Sequence, residues 1–224
     1  MCDEVLFDSK TGKRPEICSG CIKKIKYISE PSCYRCGKPL DDDDREYCQD
    51  CDGKEFYYNR AVAAFAYSDA MKASMYGFKY NNRREYADFY AGSVISGHGH
   101  VIRGWNAEVI IPVPLHVKRL RTRGYNQAEV FGKALSARLG VPVDGSVIVR
   151  TANTAPLKTL NDKERANNIK NAFQIAKETL QYKKIIIVDD IYTTGTTVNE
   201  CARVLREAGA TEVNVITVCV GRGF

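Results

Sequence analysis

The sequence predicts an α/β protein, with a mostly parallel β-sheet flanked by helices and a small cysteine-rich module in front of it. Seven of the nine cysteines fall within the first 51 of the 224 residues. From Arg60 onward, apolar runs alternate with helical patterns, which is typical of a sheet covered by helices on both sides. We therefore expect a module at residues 1–56 and a larger domain at residues 57–224.

Apolar periodicity assigns the elements of the larger domain in chain order. Strands are predicted at 61–67, 108–113, 141–149, 184–188 and 212–220, and helices at 68–80, 83–95, 126–139 and 195–208. His98 and His100 lie in the glycine-rich stretch SGHGH, which predicts a flexible loop rather than a metal site. The polar stretch from Thr151 to Asn171 has no clear period and is predicted to be a mobile loop.

Composition narrows the class of protein. No stretch approaches the ~18 to 20 continuous apolar residues of a membrane span. The N-terminal segment also lacks the basic start and apolar middle of a signal peptide. We therefore expect a cytoplasmic protein without a membrane span. The formal net charge of +6 permits a polyanionic partner without requiring one.

The cysteines form three CxxC pairs, with eleven residues between each pair and the next. Two such pairs complete the tetrahedral shell that zinc prefers. Turn residues around the second pair favour joining it to the third, so one structural zinc site is predicted at Cys33, Cys36, Cys48 and Cys51. Cys18 and Cys21 would then form a second site with Cys2, either incomplete or completed by a side chain that the sequence does not identify. Disulfides or a redox pair are the alternatives, and a reducing compartment favours metal.

A buried strand ends in Asp189 and Asp190 and is followed by a threonine-rich glycine turn. In open α/β sheets, ligands bind beyond the carboxyl ends of the strands. Backbone N–H groups at the helix start would form a phosphate nest with Gly195 and the hydroxyls of Thr193, Thr194, Thr196 and Thr197. The aspartates would accept hydrogen bonds from ribose hydroxyls, directly or through a cation, so the pattern fits a ribose 5-phosphate. A plain strand-ending turn with an N-cap is the alternative.

The stretch VDDIYTTGTT, from Val188 to Thr197, resembles the phosphoribosyl-pyrophosphate (PRPP) signature of type I phosphoribosyltransferases. Together with the cysteine module and IPVPLHVKRLRTRGYNQAE, from Ile111 to Glu129, it closely resembles the ComF (ComFC) family of bacterial competence proteins. The resemblance implies a type I phosphoribosyltransferase fold with an N-terminal double zinc ribbon.

The same resemblance implies PRPP with Mg²⁺ as ligand, and Asp189 and Asp190 as catalytic residues if transfer occurs. Pro114 and Leu115 would match the loop that meets the pyrophosphate. Arg165 would belong to the loop that closes over the ligand. The family match also implies single-stranded DNA handling in natural transformation, with a DNA-uptake helicase-type protein as a partner.

Lys118, Arg119, Arg121 and Arg123 place four cations within six positions. Arg119 and Arg123 are the favoured pair for pyrophosphate, although such cations can also contact a DNA backbone beside a stacking ring such as Tyr125. A solvated helix face is the remaining alternative. A phosphoribosyltransferase also needs a segment that selects an acceptor base or amine, and no such segment is recognisable. An active phosphoribosyltransferase of nucleotide salvage or synthesis is therefore the second hypothesis, after a PRPP-binding protein that handles DNA.

Overall fold

The computed structural model describes residues 17–42, 44–151, 171–176 and 180–221. Cys2, Arg165 and most of the predicted 151–171 loop lie outside the described residues. Within the described ranges the strands are β1 (Ala61–Ala66), β2 (Val109–Pro112), β3 (Ile148–Arg150), β4 (Phe173–Ile175), β5 (Lys184–Tyr192) and β6 (Glu212–Val220). The helices are α1 (Ser19–Ile22), α2 (Asp69–Tyr80), α3 (Tyr86–Gly104), α4 (Val117–Arg123), α5 (Gln127–Leu139) and α6 (Thr196–Glu207).

The main sheet has the strand order β1-β6-β5-β2, and every pair in it is parallel. The predicted parallel sheet is thereby confirmed. The predicted strand at 141–149 is largely wrong, because Val143 makes one parallel bridge to Ile110 and only β3, paired with β4, is extended. A turn interrupts the segment, since the Asp144 carboxylate accepts hydrogen bonds from the backbone and hydroxyl of Ser146 at 2.9 and 2.6 Å.

The sheet is buried on both faces. Ile186 and Val188 of β5 face a cluster formed with α2, α3 and α5, whereas Ile185 and Ile187 face a cluster formed with α6 and the cysteine module. This alternation follows from the two-residue period of a strand. Each fully buried Ile or Val contributes about 1.5 to 3 kcal/mol, so the apolar run at 185–188 fixes β5 at the centre of the sheet.

Helix α3 continues to Gly104 and includes SGHGH, so the predicted flexible loop at His98 and His100 is wrong. His98 is buried, and its Nε2 lies 3.0 Å from the carbonyl oxygen of Ala63 in β1. Burial lowers the pKa of His98, which favours the neutral ring. Each glycine destabilises a helix by about 1 kcal/mol relative to alanine. The packing of His98 against β1 outweighs this preference of the glycines against helix.

The cysteine module covers the open edge of β1. Tyr27 pairs in antiparallel fashion with Phe65, and the backbone of Ile28 donates to Ala64 at 2.9 Å. Covering an edge strand in this way satisfies its unpaired backbone groups. Cys33 and Cys36 also belong to the same buried cluster as Ala61 and Ala63 of β1. The module therefore packs directly on the sheet.

Among the described residues, no helix combines the length and apolar character that crossing a membrane requires.

Candidate ligand site and metal centre

Four thiols converge in the cysteine module. The Sγ atoms of Cys33, Cys36, Cys48 and Cys51 all lie within 4.8 Å of one another, and those of Cys36 and Cys48 are 3.6 Å apart. A tetrahedral zinc ion with Zn–S bonds of about 2.3 Å requires sulfur atoms about 3.8 Å apart. The donor set and its spacing therefore fit zinc.

Groups around the four cysteines offset the negative charge that their thiolates would carry. The backbone N–H of Cys48 donates to Cys33 Sγ at 3.3 Å. Lys38 is buried beside the cluster and forms an ion pair with Asp50. Burial alone would lower the pKa of Lys38, but Asp50 and the neighbouring thiolates raise it. Four thiolates around Zn²⁺ carry a net charge of about −2, and such outer groups stabilise a metal site.

Cys18 and Cys21 form a separate turn. The backbone N–H of Cys21 donates to Cys18 Sγ at 3.2 Å, and Cys18 caps α1. Within the described ranges they do not join a cluster of three or more metal-ligating side chains. Cys2 lies outside those ranges, so the second zinc site stays a prediction. All cysteines that the structure describes are free thiols.

The two aspartates lie inside β5, which continues to Tyr192, so the prediction that they end the strand is wrong. The pairing of β5 with its two neighbouring strands explains why it continues past the aspartates. β2 leaves β5 after the Pro112–Val188 pair, whereas β6 stays paired with β5 as far as Tyr192. From Asp189 onward, β5 therefore has a neighbouring strand on one edge only. Because side chains alternate along a strand, Asp189 and Asp190 project to opposite faces of the sheet.

Asp190 forms an ion pair with a lysine from the second helix. Its Oδ2 lies 2.8 Å from Lys79 Nζ, and both side chains are largely buried, at 8% and 18% exposed. Burial would lower the pKa of Lys79, but the charge of Asp190 raises it, so the ammonium stays protonated. The sequence pattern did not assign Lys79 to the site.

Asp189 has a different environment. Burial, and next the charge of Asp190, raise the pKa of Asp189 to about 7, although it accepts a hydrogen bond from the Asp190 backbone at 2.8 Å. Arg150 contributes positive charge on this side, which lowers the pKa of Asp189 in part. Burial and then the charge of Arg119 lower the pKa of Arg150. Sequence reasoning missed Arg150, because a single arginine beside a loop carries no motif.

The glycine turn opens the start of α6 to a ligand. Gly195 caps the helix with φ +77°, a conformation that other residues rarely adopt, and has no side chain to bond the first-turn N–H groups. A Cβ atom at this position would lie 2.2 Å from the Tyr192 hydroxyl. The hydroxyls of Thr194 and Thr196 lie 2.8 Å apart. The first-turn N–H groups and the threonine hydroxyls are the donors from which the predicted phosphate nest would be built.

The remaining predicted residues lie around the same strand end. Pro114 and Leu115, both half-buried, follow β2, and the backbone of Val113 donates to Val188 at 2.9 Å, which holds this loop beside β5. Thr193 is exposed and Thr197 is half-buried at the start of α6. The structure thus brings the turn, the acid pair and the loop after β2 to one edge of the sheet.

Arg123 contacts an exposed aromatic pair. Its Nη2 donates to the Tyr80 hydroxyl at 3.2 Å, and its guanidinium lies 5.0 Å from the ring centroid. The rings of Tyr76 and Tyr80 are 5.0 Å apart and are 60% and 54% exposed. Tyr125, expected to supply a stacking ring, is buried and donates to the carbonyl oxygen of Phe78, so that expectation is wrong.

Comparisons with known proteins agree with this geometry. Residues 126–223 match the phosphoribosyl transferase domain, and residues 1–52 match the double zinc ribbon domain. Competence protein F of Haemophilus influenzae is 34% identical over 206 residues, covering 89% of this chain and 88% of the relative. DNA utilization protein YhgH of Escherichia coli O157:H7 is 31% identical, covering 91% and 89%. Competence protein ComFC of Bacillus subtilis is 27% identical over 209 residues, covering 87% and 79%.

The parallel sheet, the acid pair and the glycine turn define a type I phosphoribosyltransferase fold, here joined to a zinc-ribbon module with structural zinc. The chain belongs to the ComF family of competence proteins.

Proposed function

We propose that this chain binds PRPP with Mg²⁺ at the Asp189–Thr197 segment and handles single-stranded DNA during natural transformation. One observation carries the ligand assignment. Two carboxylates lie on opposite faces of β5 at its carboxyl end, a few residues before the chain turns into the N-terminus of α6. This arrangement offers one end that recognises phosphate and another that recognises hydroxyl groups, as a phosphorylated ribose requires.

Each part of PRPP has a matching group. The 5-phosphate would accept hydrogen bonds from the first-turn N–H groups and from the Thr194 and Thr196 hydroxyls. The ribose hydroxyls would donate to Asp189 and Asp190. The pyrophosphate would lie toward Arg119 and Arg150. Mg²⁺ would neutralise part of the pyrophosphate charge and would bind chiefly to the ligand's own oxygens.

The structural zinc is proposed to be held by Cys33, Cys36, Cys48 and Cys51. None of these four cysteines forms a disulfide, which supports a reducing compartment, and we propose the cytoplasm.

The ligand proposal is tested by calorimetric titration of the zinc-loaded protein with PRPP, pyrophosphate and ribose 5-phosphate, each with excess Mg²⁺. We expect PRPP to bind at least about tenfold more tightly than either fragment, because only PRPP contacts both ends of the site. Absence of saturable PRPP binding would overturn the assignment.

The nucleic-acid part of the proposal rests on the relatives' names and on the Tyr76–Tyr80 pair. Relatives are named competence proteins and a DNA utilization protein. Exposed rings beside an arginine are typical of surfaces that bind single strands, because bases stack on the rings while cations contact phosphates. A DNA-uptake helicase is proposed as a further partner on the family resemblance alone.

Fluorescence anisotropy with labelled oligonucleotides tests this surface. The double variant Tyr76→Ser/Tyr80→Ser is expected to bind single strands about tenfold more weakly or worse, since each stacked base contributes about 1 to 3 kcal/mol. Tyr57→Ser is the matched control, because Tyr57 is 48% exposed and belongs to a different surface. Equal losses in both variants, or no loss in either, would remove this surface from the proposal.

An active phosphoribosyltransferase is the second candidate. The observation that favours it is the pKa of Asp189 near 7, which suits proton transfer at neutral pH. Release of pyrophosphate from PRPP in the presence of a panel of bases and amines tests this candidate. Stoichiometric binding without acceptor-dependent release would exclude it.

A further inference from the structure

A buried hydrogen bond joins the segment after the cysteine module to the strand end before the glycine turn. The hydroxyl oxygens of Tyr58 and Tyr192 lie 2.8 Å apart, and the two residues are 1% and 3% exposed. Tyr58 follows the cysteine module, and Tyr192 is the last residue of β5. Both belong to the buried cluster that contains Cys33, Cys36 and Cys51. The bond therefore lies inside a core shared by the two regions.

On the metal side, the second CxxC pair holds Tyr58 in place. Arg35, between Cys33 and Cys36, donates from Nη1 to the backbone carbonyls of Tyr58 and Asn59 at 2.6 and 2.8 Å. The Phe56 and Tyr58 rings pack with centroids 5.3 Å apart. A metal ion that fixes this CxxC turn also fixes Arg35, and through Arg35 the segment that carries Tyr58.

On the ligand side, Tyr192 packs against the turn that would bind phosphate. Its hydroxyl and ring lie so close to Gly195 that even a methyl group there would overlap them. Gly195 sets the direction of the first N–H groups of α6. The Tyr192 phenol therefore packs directly against the turn and leaves no room there for a side chain.

A second set of hydrogen bonds joins the same segment to α6. The backbone N–H of Tyr57 donates to Asn199 Oδ1 at 2.8 Å, near the start of the helix. Near its end, Arg206 donates to the Tyr57 carbonyl at 3.0 Å and to Asn59 Oδ1 at 2.6 Å. Residues 57–59 thus contact both ends of the helix whose first turn forms the nest.

We propose that Tyr58 and Tyr192 are positioning residues that couple the zinc centre to the phosphate-binding turn, so that zinc and PRPP each strengthen the binding of the other. This inference rests on the proposed PRPP site. Metal holds the Tyr58 segment, the hydroxyl pair holds the Gly195 turn, and PRPP binds the turn in that shape. Because coupling between two sites is reciprocal, PRPP must raise zinc affinity by the same factor by which zinc raises PRPP affinity.

Competition with a zinc chelator measures this factor in the full chain. We expect the equilibrium zinc affinity to rise about fivefold or more when Mg²⁺ and PRPP are saturating, within the usual range for coupled sites. Asp190→Asn controls for zinc binding by PRPP itself, because at a PRPP concentration that just saturates the parent this variant, expected to bind about 100-fold more weakly, stays largely free of ligand.

The hydroxyl pair is tested with Tyr58→Phe and Tyr192→Phe, which keep both rings. We expect both variants to retain zinc and PRPP binding while the coupling factor falls toward one. Tyr90→Phe is the matched control, since its buried hydroxyl lies 2.5 Å from that of Ser74 on the opposite face of the sheet. That variant is expected to lose stability to a similar extent and to keep the coupling.

The outcomes separate this inference from the function on which it rests. If PRPP binds but leaves zinc affinity unchanged, the coupling is refuted and the PRPP site stands. If the Phe variants keep full coupling, the tyrosines are not the connection. Failure of the zinc-loaded protein to bind PRPP at all overturns both proposals.

Discussion

On the two faces of the sheet, near the end of β5, two adjacent aspartates have different surroundings. Asp190 lies 2.8 Å from the Lys79 ammonium on the face covered by α2. Asp189, on the face covered by α6, has a pKa raised to about 7 by burial and by the charge of its neighbour. A single residue step along a strand thus separates a compensated carboxylate from one that titrates near neutral pH. Two identical side chains can therefore take different roles with the same ligand.

The largest expected effect tests whether Asp190 is the fixed negative charge of the site. Asp190→Asn is expected to weaken Mg²⁺–PRPP binding about 100-fold, because two charge-assisted hydrogen bonds of roughly 1.5 to 3 kcal/mol each are weakened. Calorimetry measures the loss. Asp88→Asn, which alters an exposed ion pair with Arg138, serves as control and should bind normally. Unchanged affinity in Asp190→Asn would end the assignment of this carboxylate.

The second prediction addresses the ion pair itself. Lys79→Met leaves Asp190 without its partner, and we expect the free energy of unfolding to fall by about 2 kcal/mol, less than the roughly 3 to 5 kcal/mol of a fully buried pair. Urea unfolding measures this. Lys133→Met is the control, since its exposed pair with Glu129 should contribute less than about 0.5 kcal/mol. Equal losses of stability in the two variants would show that the Lys79–Asp190 pair contributes no more than an exposed ion pair.

The third prediction concerns pH and Asp189. This carboxyl loses its proton near pH 7 in the folded protein and near pH 4 when unfolded, so between these values the folded state binds more protons. Its contribution to stability is therefore full below about pH 4 and is lost as the pH rises through about 7. Asp189→Asn should raise the melting temperature more at about pH 8 than at about pH 5.

Ligand binding should show the opposite trend, because the ionised carboxylate accepts the ribose hydroxyls. We expect PRPP to bind about tenfold more weakly at about pH 6 than at about pH 8. The pH dependence of PRPP affinity measured with Asp189→Asn shows how much of the trend comes from titration of the ligand phosphate. A variant with the same pH profile as the parent would indicate that Asp189 does not titrate in this range.

The smallest expected effect concerns the threonine hydroxyls. Thr194→Val keeps the side-chain volume and removes one hydroxyl next to the nest, so PRPP affinity should fall about threefold to tenfold. The hydroxyl of Thr211 lies at the other end of the sheet, 3.2 Å from the carbonyl oxygen of Lys183, so Thr211→Val is the control. If Thr194→Val binds PRPP as well as the parent, backbone N–H groups alone recognise the phosphate.

Local sequence patterns predicted much of this architecture. The run at 185–188 predicted a strand buried on both faces, and the Thr-Gly-Thr turn predicted the start of α6. The turn residues around the second CxxC pair also predicted which four cysteines converge. In each case the residues that decide the structure lie close together in the chain. Periodicity and turn chemistry are sufficient there.

Contacts between distant segments were not predictable in the same way. The helical course of SGHGH depends on His98 meeting Ala63, and the extent of β5 depends on β6 remaining beside it after β2 has ended. Lys79 of α2 pairs with Asp190, and Arg150 of β3 adds positive charge that acts on Asp189. Helix and strand periodicities describe which face of an element is apolar, not which element will lie opposite.

The sequence by itself determined the class of fold, the metal-binding cysteines and the turn that would bind phosphate, because each is encoded by spacing within a short segment. Only the tertiary structure decided the different surroundings of the two aspartates and the hydrogen bond between Tyr58 and Tyr192. Those properties depend on burial and on partners that become neighbours only when the sheet and its covering layers have packed.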